Sequence, residues 1–568
     1  MKKLLLLSAL AISTSVDAQN NLLIPDTLSG STIDLTLQEG QTEFYPGIVT
    51  NTMGANGSLL GPTLIMNQGE FVTLNVLNQL QDTTTIHWHG MHVAPEDDGG
   101  PHSIIVPGAT WSPDFTVLDK AGMYWYHPHL HMRTDYHVSK GIAGVILVRD
   151  EEEANLGLPM SYGVDEFPIV LQTKGFDDQG EIAVHTELDT TVLVNGTRDA
   201  ITDMPAQVVR LRVLNGASQR VMELGFSDDR PFQIIGTDGG LLTAPVEKTR
   251  YRIGPGMRVD ILVDFSGESG SNVNLMCYGS EIPSAYYGAS QPGMGPGATS
   301  SLVGYTDNFL NGNDYQLLSI NVVDQTVNAI TSIPTTLAQY TRIDEADANT
   351  SRTLTFTSSG TMGDLSAPFL INGSTFDMGV INYNIPLDNI EIWTLQNNTP
   401  IAHPFHIHDV QFFILDINGV APAEELQGYN DVVLVPGGMG NVRFIAQFSD
   451  HADDSIPFMY HCHMLTHEDM GMMGQFLVTD QSSSIKEEIE EELTVYPNPI
   501  TEGNVSILLP KNSKIENVVC ADAQGRQVSI EFQINDGKVD VQGLNVSGVY
   551  FVQLIGEEVV KTERVVVK

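Results

Sequence analysis

Along most of this chain, apolar and polar residues alternate in short runs broken by Gly, Pro and Asn. Phe71-Val72-Thr73-Leu74-Asn75-Val76 changes character at every step, as a strand with one buried face should. Val208 to Leu214 and Val259 to Phe265 read the same way, as half-buried strands. Stretches with a long helical period are scarce. At 568 residues the chain exceeds what one core can hold, and about three to four domains are expected. With 52 Gly, 28 Pro and only 17% charged residues, the pattern predicts an all-β protein built as a series of β-sandwiches.

Breaks in composition divide the chain. Lys2 and Lys3, the apolar run Leu4 to Ile12 and the small residues of Val16-Asp17-Ala18 predict a cleavable export signal over 1–18; the run is too short for a membrane anchor. Three sandwich domains are expected at 19–150, 160–330 and 345–480. The second includes a loop rich in Gly, Pro and Met, Gly288 to Gly297, with a composition suited to mobility. An acidic, solvated linker follows at 481–493, and then a small β unit at 494–568.

Charge narrows the partners. There are 70 acidic against 27 basic residues, a net charge of −43, which repels phosphate backbones and argues against nucleic acid. Of the three cysteines, Cys277 and Cys520 fall in different expected domains, so no disulfide framework is indicated. Cys462 stands between two histidines.

Ten of the 16 histidines fall in four short clusters: His87-Trp88-His89, His127-Pro128-His129, His403-Pro404-Phe405-His406-Ile407-His408, and His461-Cys462-His463 with His467. Side chains two apart on a strand share a face. His87 can therefore act with His89, His127 with His129, His406 with His408, and His461 with His463, while Cys462 points the other way. Pro404 is expected to interrupt ladder pairing and let His403 turn toward Cys462. Two His, one Cys and a weak axial Met describe a mononuclear blue-copper site. His403, Cys462 and His467 supply the strong ligands; Met470, Met472 and Met473 are rivals for the axial place. Zinc also takes Cys and His, but a lone thiolate beside eight paired histidines is poor structural-zinc chemistry. The remaining eight histidines suit a cluster of several coppers.

The four motifs in this order resemble the multicopper oxidases (laccases, bilirubin oxidases and bacterial cuprous oxidases) over roughly residues 40 to 480. The run from His461 to Met473 looks like their bacterial three-domain branch. The resemblance implies three cupredoxin-like β-sandwiches and four coppers. The type 1 copper would take His403, Cys462, His467 and axial Met472. The type 2 copper would take His87 and His406. The type 3 pair would take His89, His127, His129, His408, His461 and His463. Asp98 and Glu468 match family carboxylates that relay protons to bound oxygen. The implied activity is one-electron oxidation of phenols, aromatic amines or reduced metal ions, coupled through Cys462 to four-electron reduction of O2 to water. The chain departs from the best-known cuprous oxidases in lacking a long Met-rich insertion: Thr353 to Asn398 contains only Met362 and Met378, and the loop around Met294 is too sparse to replace it. His131 and His137, close after the second motif, are expected in a solvated or supporting role.

Other readings are weaker. Copper nitrite reductases lack the two additional His-x-His pairs, and structural or cell-division relatives that have lost copper also lose ligands. A copper-sequestering protein without turnover is the main alternative. Val495-Tyr496-Pro497-Asn498-Pro499, Gly548 to Val552 and Arg564 to Lys568 resemble the C-terminal sorting domain of type IX secretion. That resemblance implies a secreted or cell-surface protein that engages the type IX machinery and crosses the periplasm and outer membrane.

Overall fold

The computed structural model describes residues 19–480 except 296 and 362, and residues 494–568 except 502, 510–514, 524–525, 536 and 557–559. The expected export signal and acidic linker lie outside the described residues, as does Met362. The chain divides into two compact units, one ending at Asp480 and the other formed by the tail. No described helix is long and apolar enough to cross a membrane.

The larger unit holds three cupredoxin-like β-sandwiches. In the first, one sheet runs Thr27–Ser29, Thr63–Asn67, Gly144–Arg149, Gly122–His127, His87–His89. It shares a core with a sheet of Ile48–Ala55, Thr32–Tyr45, Phe71–Asn78 and Thr110–Trp111. The alternation in Phe71–Asn78 buries Val72, Leu74 and Val76 and leaves Phe71 at the surface, as period-2 patterning requires. The last strand, His87–His89, pairs with Gly122–His127 so that His127 lies opposite His87. Two of the histidine motifs are thereby brought to one edge of one sheet.

The second sandwich corrects one expectation. Val208–Asn215 and Arg258–Asp264 pair antiparallel, but they are buried on both faces rather than half-buried. The polar residues of the alternation, Arg210 and Arg212, face carboxylates instead of water. Arg210 bonds Asp260 and lies 2.8 Å from Glu153; Arg212 donates to Glu166 (2.7 Å), Glu153 (2.6 Å) and Asp260 (3.2 Å). Arg149, from the first sandwich, donates to Glu166 (2.8 Å) and so joins the network. The loop Gly288 to Gly297, expected to be mobile, is pinned where Met294 N–H donates to Pro400 O (2.8 Å) and Gly288 N–H to the Tyr305 hydroxyl (2.9 Å).

In the third sandwich one sheet runs Tyr383–Pro386, Met473–Thr479, Phe458–Cys462, His403–Ile407, Val432–Val435. The register sets Phe405 opposite Cys462 and His406 opposite His461. Pro404 does not interrupt this strand, contrary to expectation. It lies opposite Leu434 on one side only, and its carbonyl still accepts the His463 N–H (2.6 Å), so its missing donor breaks no ladder. The tail is a small sandwich of two four-stranded sheets around Val505, Val541, Val552 and Leu554. All three cysteines are buried and unpaired with one another.

The buried ion network has a pH signature. Burial favours the neutral acids, but the facing arginines outweigh it and hold Glu153 and Glu166 at about 2. A depressed folded-state value means stability that is fully present above the unfolded glutamate value, about 4.3, and is lost as pH falls from there toward 2. The melting temperature should drop steeply across that window. Glu166→Gln should lower it at neutral pH but flatten the acid decline; an unchanged acid profile in that variant would count against the network.

Candidate metal centre

His87 and His89 from the first motif, His127 and His129 from the second, His406 and His408 from the third, and His461 and His463 from the fourth meet in one nest. It lies between the first and third sandwiches, and every one of these rings is at least 98% buried. The ring nitrogens cluster as His89 with His127 and His463, as His129 with His408 and His461, and as His87 with His89 and His406. His129 Nε2 lies 3.1 Å from His461 Nε2, and His463 Nε2 lies 3.2 Å from His89 Nδ1. The rings of His87 and His408 stack at 3.9 Å, and those of His89 and His406 at 3.8 Å.

Seven of the eight rings meet an acceptor at the outer nitrogen; His463 Nδ1 is buried without a hydrogen-bond partner among the described residues. His87 Nδ1 is 2.8 Å from the Asp98 carbonyl, His127 Nδ1 2.9 Å from the Pro128 carbonyl, and His406 Nδ1 2.9 Å from the Asp431 carbonyl. His408 Nδ1 meets Asp98 Oδ2 at 2.8 Å, and His89 Nε2 meets Asp431 Oδ1 at 3.2 Å. Glu468 spans two rings, 3.3 Å from His129 Nδ1 and 3.2 Å from His461 Nδ1. These acceptors place the ring protons outside the nest and turn lone pairs inward. The Nε2 atoms of His87, His406 and His408 are buried without a hydrogen-bond partner. Burial, reinforced by neighbouring rings, holds His89, His127, His406 and His408 well below the usual imidazole range, and His129 and His463 at about 3. Buried ring nitrogens left without a partner among so many others are satisfied by a cation, and the donor set fits copper.

The second site lies on the other side of Cys462. Its Sγ is 3.4 Å from His403 Nδ1 and 3.5 Å from His467 Nδ1. The Thr399 hydroxyl meets His403 Nε2 at 2.8 Å and so directs Nδ1 toward the sulfur. His467 is carried by the single helical turn Leu465–Asp469, which brings it back to Cys462 five residues after the strand. Its carbonyl accepts the Met472 N–H (2.9 Å), and the Met472 carbonyl accepts the Cys462 N–H (3.0 Å). Of the three rival methionines, Met470 is 42% exposed. Met473 lies opposite His461 and therefore faces away from Cys462, whereas Met472 is fully buried in the same core as Cys462 and Phe405. Burial holds His403 well below its usual range and His467 at about 3, and it pushes the Cys462 thiol up.

His131 packs on Phe376, and His137 contacts Thr84 (3.3 Å) and Asp82 (3.5 Å). Asp431 and Arg258 went unnoticed in the sequence. The Arg258 guanidinium, from the second sandwich, clamps both Asp431 oxygens, and Asp431 in turn holds His89 and His406. Gly90 makes room for this clamp: with φ +84°, a Cβ there would lie 2.5 Å from Asp431 Oδ2. Gly256, at φ +82°, leaves space for the His463 ring in the same way.

A cleft of about 320 Å³ opens beside His467, lined in part by Glu187, Tyr287, Leu302, Leu365 and Met470. Tyr287 donates its hydroxyl proton to Glu187, whose carboxyl is raised by burial.

Residues 36–153 and 335–482 match family models described as multicopper oxidase, and residues 494–568 match that of a secretion system C-terminal sorting domain. The chain is 30% identical to a multicopper oxidase of Staphylococcus aureus over 455 residues, covering 78% of this chain and 88% of that protein. It is 32% identical to the cell division protein FtsP of Sodalis glossinidius, covering 80% and 90%. The structure of a bacterial laccase-like multicopper oxidase, CueO from Ochrobactrum sp., superposes with a TM-score of 0.70 at 33% identity, covering 81% of this chain and all of that one. With two copper-suited donor sets and relatives matched over most of their length, this chain belongs to the multicopper oxidase family.

Proposed function

We propose that the protein oxidises a small reducing donor one electron at a time and delivers the electrons to O2, which is reduced to water. In this reading His403, Cys462, His467 and Met472 hold a type 1 copper, His87 and His406 a type 2 copper, and His89, His127, His129, His408, His461 and His463 a type 3 pair. When bound, the four coppers supply one-electron uptake at the thiolate site and four-electron reduction of O2 in the nest. The observation that carries the proposal is the position of Cys462. Its sulfur belongs to one site while its sequence neighbours, His461 and His463, belong to the other. Adjacent Cα atoms are about 3.8 Å apart, so a short covalent path joins the two sites.

The protein's own groups do the rest. Asp98 keeps Oδ2 on His408, while Oδ1 lies 3.3 Å from His87 Nδ1 and has no hydrogen-bond partner. That oxygen can hold and release a proton at the edge of the nest, and Glu468, beside His129 and His461, is placed to pass one on. The cleft beside His467 admits a phenol- or aniline-sized donor, and Glu187 there offers a carboxylate to its O–H or N–H. A reduced metal ion would meet the same carboxylate. The C-terminal sorting domain hands the chain to the type IX machinery for release or surface display. Copper sequestration without turnover is the competing reading, and oxygen uptake with a phenolic donor separates the two.

Cys462→Ser should abolish the intense blue absorption and reduce turnover to background while leaving the circular dichroism intact; retained phenol oxidation would refute the electron path. Asp98→Asn should slow reoxidation by O2 about 10²-fold or more and leave stopped-flow reduction of the blue site near the parent rate. Equal slowing of both half-reactions argues against the relay. Glu187→Gln should raise KM for phenols and aromatic amines about tenfold, the loss expected for one charge-assisted hydrogen bond, without altering the blue spectrum. An unchanged KM would move the donor site elsewhere.

A further inference from the structure

A third group of ligating side chains lies outside both copper sites. His92 follows the first motif by three residues, and Asp450-His451 precede the strand Phe458–Cys462. His92 Nε2 is hydrogen-bonded to Asp450 Oδ1, and His451 Nε2 lies 3.9 Å from that same oxygen. The two rings are 5.4 Å apart. His451 Nε2 is buried and has no hydrogen-bond partner.

Asp409 supplies the independent observation. Its side chain is 95% buried, and neither carboxylate oxygen has a hydrogen-bond partner among the described residues. Asp409 stands two residues before Gln411, whose side-chain amide donates to Asp119 (3.3 Å), the same carboxylate that accepts the His92 N–H, so the chain carries Asp409 beside this cluster. A buried carboxylate with no donor is costly, and an ion is one of the few things that relieve it. Asp119 is already engaged: both of its oxygens accept the His92 N–H, at 3.2 and 3.1 Å, which fixes the loop.

We propose that His92, His451, Asp450 and Asp409 bind one first-row divalent cation, Zn(II) being the best match, at a site separate from the coppers. Two imidazole nitrogens and two carboxylate oxygens, with no sulfur, form a donor set that zinc accepts in tetrahedral geometry. Ligand atoms around such an ion stand about 3.3 Å apart. The present spacings, one shorter and one of 3.9 Å, reach that value by small side-chain rotations. The groups facing His92 are Asp450, Asp409, Asp119 and His451. Burial alone would lower the His92 value, but the three carboxylates raise it to about 9, so an imidazolium at His92 is the competing occupant. A divalent ion would displace that proton.

The test uses copper-replete, full-length protein incubated with Zn(II), desalted and analysed for total metal. The parent should carry one more metal ion per chain than either His92→Ala or His451→Ala, with copper content unchanged by Zn(II), and zinc-edge absorption should report nitrogen and oxygen ligands only. His451 is partly exposed, so its replacement spares the fold even if that of His92 does not. Equal total metal in the parent and in folded His451→Ala protein would overturn the site and leave the imidazolium in place. The outcome does not depend on oxidase turnover.

Discussion

Eight imidazoles buried at one point, seven of them met by an acceptor at the outer nitrogen, are the constraint around which the larger unit is organised. Those carbonyls and carboxylates orient the seven rings and keep them from turning away. Inner lone pairs this close repel one another unless a cation lies among them. The fold must therefore resist that repulsion before metal arrives, and it does so by drawing on all three sandwiches. The first and third supply the rings. The second supplies Arg258, which neutralises Asp431 and through it anchors one ring from each of the others.

That role explains why a domain without a single ligand lies against the site. Asp431 is 99% buried, and a carboxylate there without a counter-charge would be too costly to keep. Arg258 is equally buried and is held by carbonyls of Met123, Gly256 and Asp238 as well as by the acid. Gly90 and Gly256 complete the clamp by omission, since a side chain at either would collide with the acid or with the His463 ring.

What was legible in the sequence follows from strand geometry. A period of two converts His-x-His into two rings on one face, and the same rule sends Cys462 to the opposite face. Those facts need only neighbours in sequence. Asp431 and Arg258 are 173 residues apart, and nothing in either local sequence points to the other. Arg210 and Arg212 misled for a related reason: a polar residue in an alternating strand normally marks water, but here it marks buried acids contributed by distant segments. Pro404 misled because a proline breaks a ladder only where its own N–H was needed.

Charge explains how the two copper sites differ in their surroundings. At the thiolate site the ligand itself brings the negative charge, and burial pushes the free thiol up, so the thiolate forms only with a cation beside it. A carboxylate ligand is not needed there. Under the proposed assignment the nest would offer eight imidazoles and no anionic ligand, so its compensating charge would come from beyond them. Asp431 is cancelled by Arg258, which leaves Asp98 and Glu468, each within hydrogen-bonding distance of a ring's outer nitrogen. As carboxylates, these two acids supply that charge. Under the proposed function, their placement beside the rings would also let them pass protons to the oxygen reduced in the nest.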